Sequence, residues 1–144
     1  MVKDNYNRKI NTENKNSKYK KYEIYFKNNI LKINSLDADE YDKFIKQVKE
    51  YVNLLSRGLT TSKIRKVYSE LMHSNEIIEV KKLRPKLAYI IGRSKIDRDS
   101  DAVKSLLELL DFGIESLKTK EEIESIKEFM ETIVAYRKYV GNDK

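Results

Sequence analysis

From residue 36 to residue 140 the apolar side chains fall mostly at three- and four-residue steps, a period that suits helices and little else. Tyr41, Phe44, Ile45, Val48, Val52 and Leu55 form a first stripe. Ile64, Val67, Tyr68, Leu71 and Met72 form a second, and Leu83, Leu87, Ile90 and Ile91 a third. A fourth runs through Val103, Leu106, Leu107, Leu110, Ile114 and Leu117, and a fifth through Ile123, Ile126, Met130, Ile133 and Val134. The punctuation agrees with this division. Asp37, Asp39 and Glu40 stand where a helix dipole favours anions. Gly58 is placed to end the first helix in a left-handed cap, and Thr60, Thr61 or Ser62 can cap the second. A junction this short predicts that the first two helices are antiparallel neighbours. Pro85 is tolerated only in a first turn, so the third helix begins near Arg84 and residues 76–82 form a separate turn. Gly92 closes that helix; Asp97, Asp99 or Ser100 caps the fourth; Thr119 and Glu122 have capping-box spacing; Gly141 stops the last. With one proline, four glycines and no period-two stretch here, the chain reads as all-α, a compact bundle of about five helices.

Residues 1–34 read differently, as a basic N-terminal extension with nine Lys or Arg against three acids. Residues 1–20 are rich in Asn and Lys, include Tyr6 and Tyr19, and show no apolar period, which predicts disorder when free. Residues 21–34 hold Tyr22, Ile24, Tyr25, Phe26, Ile30, Leu31 and Ile33, a pattern that fits either a short amphipathic helix or a strand at the domain edge. The bundle domain itself is expected over residues 35–144.

Composition removes most chemistries. Without cysteine there are no disulfides and no cysteine-ligated zinc or iron–sulfur centre. His73 is the sole histidine, so a histidine-rich metal site cannot form, and nothing organises a nucleophile elbow around it. A place at a helix end near backbone carbonyls suits it better. Gly58, Gly92, Gly113 and Gly141 are isolated, which excludes a glycine-rich phosphate loop. Pairs such as Glu121–Glu122 and Glu124–Glu128 read as a solvated helix face. No apolar run approaches the length of a membrane span, and no apolar block follows the N-terminal cations. The expectation is a cytoplasmic protein that is not an enzyme and uses no cofactor or metal.

The charge is what remains. Ten Lys or Arg and three acids lie between residues 57 and 95. Residues 1–95 carry 22 basic and 11 acidic side chains, whereas residues 96–144 carry 8 and 12. Such polarity suggests one face built for a polyanion. Lys63 and Lys66 lie one turn apart, off the Ile64/Val67/Leu71 stripe, and Arg65 projects from another flank. Thr60, Thr61 and Ser62 add hydroxyls and free N–H groups at a helix start, a seat for a phosphate. Arg84 and Lys86 flank Pro85 at a second helix start, and Arg93 follows Gly92. Tyr68, Tyr89, Tyr136 and Tyr139 sit on or near apolar stripes and read as core with the hydroxyl at the rim. Arg137 and Lys138 occupy a last turn that already favours positive charge.

The strings LTTSKIRKVYSELM (59–72), LRPKLAYIIGR (83–93) and IVAYRKYVG (133–141), with the acidic leucine-rich helix between them, resemble the small subunit of type III-A CRISPR effector complexes, the Csm small subunit. The resemblance spans roughly residues 36–141. It implies a non-catalytic helical bundle whose copies stack into an inner filament of an RNA-guided effector complex in antiviral defence. It also implies partners: guide RNA and target RNA, the other subunits of the complex, and further copies of the chain itself, with no membrane. Carried onto this sequence, it makes Lys63, Arg65, Lys66, Arg84, Lys86 and Arg93 the expected RNA contacts, with Arg57, Arg137 and Lys138 as further ones. Leu83, Leu87, Ala88 and Tyr89 fall in the same motif but read as core. Residues 1–34 lie outside the pattern.

Two other readings compete. A helix-turn-helix DNA-binding regulator draws on the short Gly58 junction, yet residues 63–72 offer only Arg65 toward base edges. A purely structural helical adaptor would use its charges for solubility alone.

Overall fold

In the computed structural model, residues 18–96 and 100–143 are described. Residues 18–29 are helical (α1), followed by a 3-10 turn at Ile33–Ser35. Then come α2 (Ala38–Leu55), α3 (Thr61–Met72), α4 (Ile77–Lys81), α5 (Arg84–Ser94), α6 (Ser100–Glu115) and α7 (Lys120–Val140). No strand occurs among the described residues. The all-α expectation holds, and residues 21–34 take the helical alternative.

The 21-residue α7 is the hub. The 3-10 turn, α2, α3, α4 and α6 all pack against it, while α5 lies on α6. Thus α2 and α3, expected to pair with each other, dock chiefly on α7 instead. The apolar stripes face inward as their spacing requires: Phe44, Val48, Val52 and Leu55 of α2, Ile64, Val67 and Leu71 of α3, and Ile123, Ile126, Met130 and Ile133 of α7 are all buried. Each such side chain contributes about 1.5–3 kcal/mol of transfer free energy.

The expected boundary at residues 34/35 cuts through this core. Tyr19, Phe26, Ile30 and Ile33 are buried in it, and the Phe26 ring meets Phe44, Tyr51 and Phe129 at centroid distances of 6.2, 5.3 and 5.2 Å. Buried Ser125 of α7 fixes where α1 ends, donating from Oγ to Ile30 O and accepting from Ile33 N–H, both at 2.7 Å. A second tie joins three helices. The Tyr51 and Ser105 hydroxyls are 2.6 Å apart, and Ser105 donates to Glu23 at 2.7 Å. Burial pushes the Tyr51 phenol far up. The tail expected over residues 1–20 is helical from residue 18; residues 1–17 lie outside the described residues.

The caps show where local chemistry was read correctly. Asp37 accepts from Glu40 N at 2.8 Å, and Thr119 with Glu122 forms the full capping box. Pro85 sits in the first turn of α5. Other stops differ. Residues 77–81 form a helix of their own, and Gly92 lies inside α5, which runs on to Ser94. Among the described glycines only Gly141 has a positive φ, at 91°, and it ends α7 as expected; Gly58, expected to end α2 in a left-handed cap, does not take one. Asp97 and Asp99 lie outside the described residues.

Candidate nucleic-acid interface

Helices α3 and α5 both line an open cleft of about 770 Å³. Periodicity decides what faces it. On α3, Lys63 and Lys66 are three residues apart, one turn of the helix, with buried Val67 beside them at the floor. On α5, Lys86, Tyr89 and Arg93 fall at i, i+3 and i+7, one face by the same rule. Four of the nine expected cations (Lys63, Lys66, Lys86 and Arg93) therefore line a single cleft, drawn from two helices. Among the described residues, no carboxylate lines it.

The four are not equivalent. Lys66 and Arg93 are exposed and have no ion pair among the described residues. Lys63 donates from Nζ to Gly58 O at 2.9 Å. Lys86 pairs with Glu70 of α3 at 2.6 Å, a bridge between the two wall helices that offsets part of its charge.

The other five lie elsewhere. Arg65 and Arg57 are exposed but off the cleft, and so is Lys138 in the last turn of α7. Arg84 turns toward α6, donating to Asp111 through Nε at 2.7 Å and Nη2 at 3.2 Å, with Glu115 3.6 Å away. Those hydrogen bonds and charges raise its already high pKa. Asp111 and Glu115 belong to a smaller cavity of about 350 Å³ that also includes Glu108 of α6 and Glu23 of α1. Arg137 corrects the expectation of a surface cation. It is buried, and its guanidinium donates to Leu59 O at 2.6 Å, Gly141 O at 2.7 Å, Ser56 O at 3.1 Å and Asn142 O at 3.2 Å. A five-donor planar group suits such a cluster of carbonyls, and it fastens the α2–α3 junction to the end of α7.

The phosphate seat expected at the start of α3 is also occupied from within. Asp143 accepts there from Thr61 N and Thr61 Oγ1, while Thr60, the N-cap, makes no side-chain cap bond. Burial pushes the Asp143 carboxyl up, but the two Thr61 bonds and the charges of Arg137 and Lys138 outweigh it, so its pKa lies below the ordinary value. His73 stands at the C-terminal end of α3, with Nδ1 2.7 Å from Ser69 O, the helix-end role expected of it.

Tyr89 departs from the core role expected of it. It is 67% exposed and lines the cleft, and Ala88 is exposed as well. Tyr139, also expected at the core rim, is 78% exposed. The signal was there. Leu83 and Leu87 set the buried side of α5, and Tyr89 lies about 200° around the helix from Leu87, on the side of Lys86 and Arg93.

Comparison with known families decides the assignment. A family model described as Csm2 Type III-A matches residues 38–143. The chain belongs to the Csm2 type III-A family. Its members are small subunits of type III-A CRISPR effector complexes, so the Csm2-family chain is one component of a larger assembly. The matched span begins at α2, and α1 lies before it. Neither the curated proteins nor the solved structures gave a match. Among the described residues no helix is long and apolar enough to cross a membrane, and no cluster of His, Cys, Asp and Glu is able to hold a metal ion.

Proposed function

We propose that the Csm2-family chain is a non-catalytic RNA-holding subunit of its effector complex, cytoplasmic and serving antiviral defence. In this reading the α3–α5 cleft grips the ribose-phosphate backbone of target RNA paired to the guide. Copies of the chain stack along that RNA beside the other subunits. The observation that carries the reading is the convergence of Lys63 and Lys66 of α3 with Lys86 and Arg93 of α5 on one cleft that no carboxylate lines among the described residues. Successive phosphates of a strand are the natural complement of cations arrayed along two rods. Such contacts position a strand without reading its bases, which suits a subunit whose guide supplies the specificity.

The test is Lys66→Glu with Arg93→Glu in the assembled complex, with target RNA affinity measured across a salt series. The double charge reversal should weaken binding at least about tenfold for every sequence tried and flatten the salt dependence by roughly one to two units of slope. Unchanged affinity and slope would remove the cleft as the RNA surface. A footprint on one defined duplex DNA sequence would favour the helix-turn-helix alternative.

A further inference from the structure

Building on the reading of the α3–α5 cleft as an RNA surface, we infer that Tyr89 is a stacking platform for an unpaired nucleobase, so that the cleft holds a whole nucleotide rather than backbone alone. Tyr89 is 67% exposed, and among the described residues no ring packs on it and no cation lies over it. Cations share the cleft with it. Lys86 stands one turn before it, Arg93 one turn after it, and Lys66 on the facing wall. Apolar Val67, Pro85 and Ile90 line the same cleft, together with the exposed Ile96.

Phosphates require neither an aromatic face nor an apolar floor. A nucleobase uses both, because every base has a π face that stacks on tyrosine whatever its sequence. The cleft volume of about 770 Å³ falls within the roughly 300–1,000 Å³ typical of small-ligand sites, more room than a phosphate needs. Charge selects the occupant. Among the described residues four cations and no carboxylate line the cleft, with Glu70 engaged by Lys86, which complements a nucleic acid strand better than an apolar peptide.

The chain contains no tryptophan, so Tyr89→Trp places a single indole in the cleft of the full-length protein. It is titrated with oligouridylate, oligoadenylate and an abasic ribose-phosphate oligomer of equal length, reading end-label anisotropy and, with unlabelled strands, indole emission. All three should raise anisotropy through their shared phosphates, while only the base-bearing strands quench the indole. Tyr89→Ala should weaken the base-bearing strands about fivefold or more and leave the abasic strand and the salt slope unchanged; Tyr89→Phe should retain affinity. Binding without base-dependent quenching overturns the platform and leaves the phosphate reading intact. No binding of any strand overturns both. Indole emission that shifts with protein concentration alone assigns the ring to a contact between protein copies and overturns the platform as well.

Discussion

Asp143 is bonded twice to Thr61 across 82 residues of sequence, accepting from the backbone N–H at 2.7 Å and from Oγ1 at 2.6 Å. A carboxylate delivered by the C-terminal segment thus does for α3 what an N-cap side chain does for most helices, satisfying a free N–H and meeting the positive end of the dipole. Removing it as Asp143→Ala should cost about 1 kcal/mol in urea unfolding at neutral pH, the usual scale of a lost cap.

The same contact carries a pH dependence. The Asp143 pKa is depressed in the folded protein, so its contribution is present above the unfolded carboxylate value, roughly 3.9, and is lost as pH falls through the lower folded value. The stability gap between wild type and Asp143→Ala is therefore widest at neutral pH and narrows below about pH 4. Paired urea melts at pH 7 and pH 3 read it. A constant gap would mean that the charge contributes nothing.

Arg137 separates structural from binding cations. Arg137→Ala leaves four carbonyls without their donor inside the junction and should destabilise by roughly 3 kcal/mol or more. Arg137→Lys, a point charge without the fork, should recover only part of that. Under conditions where either variant stays folded, the salt slope for RNA should match wild type, because this guanidinium does not reach the cleft.

Glu70 restrains the cleft. Glu70→Gln frees Lys86 from its 2.6 Å partner and should raise RNA affinity roughly two- to fivefold at low salt, with the gain fading as salt rises. Equilibrium binding in the assembled complex measures it, and weaker binding would show that the bridge serves the cleft by holding its walls.

Phe26 tests whether α1 is integral. Its ring is fully buried against Phe44 and Tyr51 of α2 and Phe129 of α7, and Phe26→Ala should cost about 3–5 kcal/mol. A loss below about 1 kcal/mol would make α1 a detachable appendage.

The helices from α2 onward were legible because period and punctuation coincide there, as at Asp37, Pro85 and Thr119. Residues 21–34 were ambiguous because seven apolar side chains in fourteen fit two periods equally well, and only the aromatic partners supplied by α2 and α7 choose the helix. The cleft was legible in part. One-turn spacing placed Lys63 with Lys66, but joining them to Lys86 and Arg93 depends on how α3 and α5 lie on α7 and α6, which no local pattern encodes. Arg137 was hidden because a terminal-turn arginine reads the same whether it meets solvent or four carbonyls. Asp143 was hidden because a cap delivered from the far end of the chain has no spacing to recognise.

The two walls of the cleft stand on different foundations, α3 on α7 and α5 on α6. The gap between them is therefore inherited from the seam of two interior helices. Substitutions deep in that seam can widen or pinch the grip on a strand without altering a single cation. In a chain assembled this way, drift in the interior is itself a means of retuning recognition.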